Sequence, residues 1–428
     1  MASFSFGAGN AGKLLRIPLY ALGRIITAVT PRTGDLWVFG SAAGPADGAW
    51  ALWEYAVAQG ERAVWLTASA EEAAIAQRRG IPWAPKASWR GFRLTARAAV
   101  IVVTHGFGDV NRYAATGGVI VQLWHGIPLK RIGLDAAVTT ASPLPFARRA
   151  TAHLLRLLYR RTQARIAVLP AASEIVRGRL ESAFGLGSAC VPVTGEPRTD
   201  VLWCGTADER REIAGARLRE ILPGVTDAAR LILYAPTWRD GAADPAGPDA
   251  GEATALAAVL EEADAVLLVR AHHLAAGGLA EADLAAARGP ARGGGRVRML
   301  GGDLVADVTP LLPGLDVLVT DYSSLAFDAA SVPVATVFFA PDLAEYARSR
   351  GFYGTYDDVA GSDAASDWAG VVATLRALLT EPGFRDERLA RGRALSARVH
   401  AFRDGHSTER VYRVIRDRLA ASPPERAS

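Results

Sequence analysis

The sequence predicts an α/β protein built from two doubly wound domains, each with a parallel sheet. Three observations lead to this prediction. The chain has 428 residues, which exceeds what one hydrophobic core usually organises. Half of its residues are hydrophobic and 21% are charged, a composition typical of folded globular chains. From about Asp35 onwards, short apolar runs alternate with amphipathic stretches, as parallel strands alternate with crossover helices.

The apolar runs form two sets, and each set predicts one sheet. A charge-rich, helix-like segment at 206–222 separates the sets and marks the domain boundary. We therefore predict an N-terminal segment at 1–30, a first domain at 31–205 and a second domain at 206–421. The predicted strands lie at 35–40, 63–67, 98–104, 118–124 and 165–170, and then at 231–236, 265–270, 316–320 and 333–339.

Two Rossmann-type domains of this kind that face each other across a cleft form the GT-B-like architecture of nucleotide-dependent transferases. Ligands of doubly wound sheets bind outside the carboxyl ends of the strands. The loops that follow the strands are therefore expected to carry the chemistry.

Composition excludes several other classes of protein. The 48 basic and 44 acidic residues give a net charge of only +4, which argues against a nucleic-acid partner. The two cysteines, Cys190 and Cys204, are far apart and have no second Cys or His at ligand spacing, so the sequence encodes neither a disulfide framework nor a zinc site. There is no uncharged apolar run of membrane-spanning length, and Lys13, Arg16 and Arg24 interrupt any signal peptide. A cytoplasmic location is predicted.

A histidine follows the fourth predicted strand. In QLWHGIPLKRIG, His125 and Gly126 come at the carboxyl end of that strand. A histidine there can act as a general base, because its ordinary pKa is about 6.5. Gly126 permits close approach of a ligand, and Lys130 and Arg131 add two cations. A histidine held by backbone carbonyls in a tight turn is the alternative interpretation.

Two strands of the second domain also end in polar side chains. A histidine pair at a strand end is difficult to satisfy inside a core. Hydroxyl and guanidinium groups suit phosphate oxygens. These loops are therefore predicted to face a ligand. The side chains are Arg270, His272 and His273 in LLVRAHH, and Thr237 and Arg239 in YAPTWRD.

The strand in DVLVTDYSSLAFDAA runs straight into a polar loop and then a helix-like stretch. Thr320 and Asp321 begin this loop, and Ser323 or Ser324 is predicted to cap the helix. The free N–H groups and positive dipole of a helix N-terminus can seat a phosphate or diphosphate. Ordinary capping without a ligand is the alternative.

Six motifs, in order over about 35–415, resemble those of the CDP-glycerol glycerophosphotransferase family, which builds teichoic acids and related capsular or cell-surface polymers. The resemblance implies a GT-B fold and a peripheral location on the inner face of the membrane. It also implies transfer of glycerol phosphate from CDP-glycerol, or another CDP-polyol, to a hydroxyl of a lipid-linked acceptor, with release of CMP. The motifs are QLWHGIPLKRIG, GEPRTD, YAPTWRD, VRAHH, DVLVTDYSSLAFD and DLAEYARSRGFY.

The resemblance implies roles for individual residues. His125 matches the proposed acceptor base and His272 a histidine expected at the donor diphosphate, so both are predicted to be catalytic. Gly126, Lys130 and Arg131 fall on the acceptor side. The residues assigned to donor binding are Arg198, Asp200, Thr237, Arg239, Arg270, His273, Thr320, Asp321, Ser323 and Ser324.

The sequence is compatible with two alternative functions and with or without a metal requirement. No carboxylate cluster has obvious metal spacing, so no metal site or required cofactor is predicted, and a need for a divalent metal stays open. A nucleotide-sugar glycosyltransferase of GT-B fold is an alternative function. A catalytically inactive membrane-associated scaffold is another.

Two segments of the chain are predicted to contact an anionic membrane surface. Residues 13–29 place basic side chains opposite an apolar face, with Pro18 limiting the helix start to about Ile17. Residues 146–165 show a similar division. An ordinary solvated helix face is the alternative for both. The apolar sides consist of Leu15, Leu19, Leu22, Ile26 and Val29 in the first segment, and of Leu154, Leu155 and Leu158 in the second.

Overall fold

The structure is a computed structural model that describes residues 17–140, 148–237, 247–270 and 295–421. It divides into two compact units. The first runs to Asp200 and also takes in the residues from His400 onwards, and the second is Val201–Val399. The first boundary lies close to the predicted one. The end of the chain differs from the prediction, since residues 400–421 are expected in the second domain and belong to the first unit.

The first unit is built on a parallel sheet of six strands. These are β1 (Thr33–Phe39), β2 (Arg62–Thr67), β3 (Trp83–Pro85), β4 (Ala98–Val103), β5 (Val119–Gln122) and β6 (Ile166–Val168). Their order across the sheet is β3-β2-β1-β4-β5-β6. The described helices of this unit are α1 (Ile17–Ala28), α2 (Asp47–Ala58), α3 (Ala70–Arg78), α4 (Trp89–Arg97), α5 (Arg148–Gln163) and α6 (Glu174–Phe184).

The second unit is built on a parallel sheet of five strands. These are β7 (Arg230–Ala235), β8 (Ala265–Val269), β9 (Val297–Met299), β10 (Val317–Thr320) and β11 (Ala335–Phe338), in the order β11-β10-β7-β8-β9. Its described helices are α7 (Ala207–Ile221), α8 (Ala250–Glu262), α9 (Leu325–Ala329), α10 (Leu343–Ser349), α11 (Asp357–Ala360), α12 (Trp368–Thr380) and α13 (Pro382–Val399). The last of the described helices, α14 (Ser407–Ala421), belongs to the first unit.

Both sheets are covered on two faces, which explains why their strands read as continuous apolar runs. All six residues of β4 are buried. In β7, Ile232 belongs to one hydrophobic cluster and Leu233 to another, so successive side chains enter cores on opposite faces. The predicted doubly wound α/β class is confirmed for each unit.

The nine predicted strands are all present, and the structure adds two among the described residues. The additions, β3 and β9, are three residues long and lie at sheet edges. Their sequences, WAP and VRM, are too short to show a periodicity. Pairing with the neighbouring strand therefore defines them more than their own composition does.

Helix α14 belongs to the first unit because its apolar face is buried there. Val411 and Ile415 are fully buried in the cluster that contains Trp37 and Val100. The ring of Tyr412 stacks on Trp37 with centroids 5.6 Å apart. The apolar residues of α14 thus complete the core of the first sheet.

Candidate active site

The loops after β1, β4 and β5 leave the same edge of the first sheet, because parallel strands share the position of their carboxyl ends. His125 lies on the loop after β5, between two residues with unusual backbone angles. Trp124 has φ +63° and Gly126 has φ +124°. A left-handed conformation is strained for a residue such as Trp124 and persists only where the surroundings hold it. Here Phe184 packs edge-on against the Trp124 ring, with centroids 5.2 Å apart.

The His125 imidazole is enclosed by two aromatic rings. Its centroid lies 4.3 Å from that of His105 and 4.0 Å from that of Trp124. Burial lowers the pKa of His125 well below its ordinary value, and the neighbouring His105 lowers it further. The Thr104 backbone opposes this decrease, while the charges of Arg198 and Lys130 reinforce it. His125 is therefore held as a neutral imidazole, the form that can accept a proton.

His105 is a further residue of this site that was not predicted from the sequence. Its backbone N–H donates to Asp109 Oδ2 at 2.7 Å, which fixes the loop after β4. Burial lowers the pKa of His105, and the carboxylates of Asp109 and Asp47 oppose that effect. A strand followed by His-Gly occurs twice in the sequence, at His105 and at His125. That repeated pattern was the available signal.

Arg198 lies in the first unit, where its Nε donates to Asp47 Oδ1 at 2.8 Å. The two side chains are only 9% and 11% exposed. Asp47 has φ +59° at the start of α2, so the ion pair stabilises a strained residue. Arg198 is predicted to bind the donor. In the structure its charge also contributes to the lowered pKa of His125, after the larger effects of burial and of His105.

Asp200 has a structural role that differs from its assignment to the donor. One carboxylate oxygen accepts the Ser407 N–H at 2.8 Å, and the other accepts the Thr408 N–H at 2.7 Å. These bonds cap the N-terminus of α14, where unpaired N–H groups favour a carboxylate. Both oxygens are thereby committed to the helix in a buried position.

The two predicted acceptor-side cations differ in exposure. Lys130 is partly buried, and Arg131 is exposed. The positive charge of Lys130 adds to the lowering of the His125 pKa that burial causes, so the ammonium group acts electrostatically on that ring. Gly126 adopts a φ that side chains rarely allow, which explains the residue type at this turn.

In the second unit, Asp321 connects the loops that follow β7 and β10. Its Oδ1 accepts N–H groups from Thr237 at 2.8 Å and Tyr322 at 2.6 Å. The hydroxyl of Thr320 donates to the Ala235 carbonyl at 2.7 Å. Three predicted donor residues, Thr237, Thr320 and Asp321, are thus brought together at the carboxyl edge of this sheet.

The serine pair begins a helix of five residues, α9. Ser323 Oγ accepts the Leu325 N–H at 3.2 Å, whereas Ser324, at the cap position, makes no capping bond with its side chain. The structure thereby distinguishes two residues that the sequence left equivalent.

Arg270 binds a backbone segment of its own unit. Its guanidinium donates to the carbonyls of Val305 at 2.8 Å, Ala306 at 3.2 Å and Leu300 at 3.3 Å. Burial lowers the pKa of Arg270, and Asp307 opposes this. Arg270 therefore organises the 300–306 segment beside β8. The remaining predicted site residues Arg239, His272 and His273 lie outside the described residues.

Within the described ranges, no group of three or more His, Cys, Asp or Glu side chains is arranged to hold a metal ion. In the same part of the chain, no helix is long and apolar enough to cross a bilayer.

Two units, each built on a parallel sheet, define a GT-B-like α/β protein with ionisable side chains at strand carboxyl ends. Residues 26–417 match the model of the CDP-glycerol:poly(glycerophosphate) glycerophosphotransferase family, and the chain belongs to that family. The predicted family and enzyme class, a glycerophosphotransferase, are thereby confirmed.

Individual relatives support the same family. The chain is 29% identical over 293 residues to the teichoic acid glycerol-phosphate transferase of Staphylococcus aureus, covering 66% of this chain and 67% of the relative. It is 30% identical over 246 residues to the teichoic acid poly(glycerol phosphate) polymerase of Staphylococcus epidermidis, covering 56% of this chain and 31% of that protein.

A solved structure of the wall teichoic acid polymerase TagF, a variant soaked with CDPG, has a similar fold. The TM-score is 0.74 at 20% identity, over 94% of this chain and 93% of the TagF chain. At this identity the likeness establishes the fold.

Proposed function

We propose that this chain transfers glycerol phosphate, or a related polyol phosphate, from a CDP-activated donor to a hydroxyl of a lipid-linked acceptor in the synthesis of teichoic acid or a related cell-surface polymer. The neutral His125 imidazole at the carboxyl edge of the first sheet carries this proposal. The names of the family and of the relatives above support the donor and the polymer.

The proposed reaction requires a base and neutralisation of charge. The acceptor oxygen forms a new P–O bond to the phosphorus that carries the glycerol, and its proton passes to His125. The bond from that phosphorus to the bridging oxygen breaks, and CMP leaves with the oxygen. Such a transfer depends mainly on positioning and on electrostatic stabilisation. His125 supplies the base, and Lys130 and Arg131 supply positive charge on the same loop.

We assign acceptor binding to the first unit and donor binding to the second. Thr237, Thr320, Asp321 and Ser323 support the second assignment, because they converge where doubly wound sheets bind ligands. The role of Arg198 changes in this proposal. Its ion pair with Asp47 and its effect on the pKa of His125 assign it to the acceptor side.

The proposed membrane contact involves helix α1, which docks on the protein by one face. A Cβ added at Gly23 would lie 2.6 Å from the Tyr113 carbonyl oxygen, so glycine permits this close packing. Ile26 faces the protein and packs against a buried cluster, contrary to its predicted lipid-facing position. The large hydrophobic residues left exposed are Leu19, Tyr20, Leu22, Ile25 and Val29, with Ile25 at 64% and Val29 at 77%.

Helix α5 presents a second exposed apolar face in the same unit, formed by Leu154, Leu157 and Leu158. Burial lowers the pKa of Arg165, which follows this helix, and the positive charge of Arg24 on α1 lowers it further, so the two guanidinium groups are close enough to interact electrostatically. Arginines interspersed with exposed apolar residues suit an anionic membrane surface. We therefore propose peripheral binding at the cytoplasmic face of the membrane.

Product analysis tests the transferase proposal. The full chain is incubated with a lipid-linked acceptor and CDP-glycerol, CDP-ribitol or a UDP-sugar, and the products are identified by mass spectrometry. We expect glycerol-phosphate or ribitol-phosphate additions, with CMP released in equal amount, and their loss in His125→Ala. Sugar transfer from the UDP-sugar would indicate a glycosyltransferase. Absence of turnover with every donor would indicate a scaffold.

A further inference from the structure

The rings of His105 and His125 form a parallel stack. Their centroids lie 4.3 Å apart, and the planes differ by only 2°. The two residues come from different strand ends, since one follows β4 and the other β5. Register pairing of Val103 with Gln122 brings these strand ends side by side. The stack is therefore a product of the parallel sheet.

The backbone on the His105 side of the stack is anchored by one carboxylate. Asp109 Oδ2 accepts the N–H groups of Thr104 at 3.0 Å, His105 at 2.7 Å and Gly106 at 3.2 Å. Asp109 is only 3% exposed. Three N–H groups bound to one buried carboxylate oxygen fix the backbone conformation of residues 104–106. A change in that conformation would break charge-assisted hydrogen bonds.

A hydroxyl group also fixes the ring of His105. Thr104 Oγ1 lies 2.9 Å from His105 Nδ1, and it donates to Ser41 Oγ at 2.9 Å. The Thr104 hydroxyl thus holds the Nδ1 edge of His105 by a hydrogen bond, and this contact sets the plane of the ring.

The charges around the two rings have opposite signs. Burial lowers the pKa of both rings, and Asp109 opposes this effect at His105, whereas Lys130 adds to it at His125. Asp47 and Arg198 are ion-paired with each other, so their opposite charges largely offset one another at the stack. A proton on either ring disfavours one on the other, because like charges at this separation repel. The first proton taken up by the pair is therefore directed towards His105, which leaves His125 as the base.

We propose that His105 is a positioning residue for transfer, which holds the His125 imidazole in place by face-to-face stacking and keeps that ring in its base form. This inference rests on the proposed role of His125 as the acceptor base. His105 acts through His125, with Asp109 and Thr104 as its supports.

The experiment measures the pKa of His125 in the free full-length protein by NMR, with ¹³C-labelled histidine. Wild type is compared with His105→Phe, which keeps a stacked ring without a titrating group, and with His105→Ala. His406→Ala is the matched control, since that side chain is 66% exposed at the start of α14. We expect the pKa of His125 to rise in both His105 variants and to stay unchanged in the control.

Kinetics provide the second measurement. We expect kcat to fall roughly tenfold or more in His105→Ala, with little change in KM for CDP-glycerol, and to recover partly in His105→Phe because the stack is restored. An unchanged pKa of His125 in both variants would overturn the proposal, as would wild-type kcat in His105→Ala. If His105→Ala does not fold, the pKa in His105→Phe decides. If wild type transfers nothing, the proposed function fails, while NMR still reports whether His105 controls His125.

Discussion

The carboxylate of Asp200 accepts the backbone N–H of Ser407 at 2.8 Å, although the two residues are 207 positions apart. A second bond to Thr408 completes the cap of α14. Asp200, at the end of the first stretch of this unit, is thereby connected to α14, the last helix among the described residues. This contact holds the start of α14 beside the first unit and gives Asp200 a measurable contribution to stability.

We expect Asp200→Ala to lower the free energy of unfolding by about 2 kcal/mol, because it removes a helix cap and leaves two buried N–H groups unpaired. Urea unfolding measures this change. Asp200→Asn should lose less, since its amide oxygen still accepts one bond. Calorimetry should show unchanged CDP-glycerol affinity in folded Asp200→Asn, and a large loss of affinity would restore the donor role.

His125→Ala is expected to reduce kcat by roughly 100-fold or more, because it removes the general base. Donor affinity should change little, since the base acts on the acceptor hydroxyl. Initial-rate kinetics and calorimetry with CDP separate these effects. Near-normal turnover would remove His125 from the mechanism.

The two serines of the second unit are expected to differ in stability. Ser323→Ala should lower the free energy of unfolding by about 1 kcal/mol, because the Leu325 N–H loses its acceptor. Ser324→Ala should leave unfolding unchanged, which makes it the matched control. Both variants should weaken CDP-glycerol binding if this loop seats the diphosphate. Unchanged affinity in both would exclude that seat.

Stability is expected to fall as the pH decreases through about 6.5. Burial lowers the pKa of both His105 and His125 in the folded protein, whereas the unfolded chain has ordinary values near 6.5. The unfolded chain therefore takes up protons first, and the free energy of unfolding decreases on the acid side. Urea unfolding at pH values above and below 6.5 measures the decrease. In a His105→Phe, His125→Phe double variant it should become smaller, and an undiminished decrease would assign it to other groups.

Membrane binding is expected to depend on the exposed face of α1. A Leu22→Ser, Ile25→Ser double variant should reduce sedimentation with anionic vesicles, and added salt should reduce it further. Ile213→Ser is the matched control, because Ile213 is 69% exposed on α7 in the second unit. Activity on a soluble short-chain acceptor should persist. If the double variant sediments like wild type, α5 becomes the candidate, tested by Leu154→Ser with Leu157→Ser.

The strands and the main loops could be predicted from the sequence because they depend on local patterns. A strand that is buried on both faces of its sheet is a continuous apolar run, which is recognisable in the sequence. Strand β4 is an example, since all six of its residues are buried. The His125 loop was equally visible, since a histidine and a glycine directly follow such a run. Edge strands β3 and β9 were not predicted, because three residues carry too little pattern.

The sequence by itself determined the α/β class, the order of the strands along the chain and the family motifs, since these require only neighbouring residues. Tertiary structure decided which motif residues are structural. Within one short motif, Arg198 forms an ion pair with Asp47, whereas Asp200 accepts a backbone N–H at the start of α14. It also decided that His105 stacks on His125, because parallel pairing of β4 with β5 brings their loops together. Contacts between residues distant in sequence depend on the register of the sheet and the docking of helices, which no local pattern encodes.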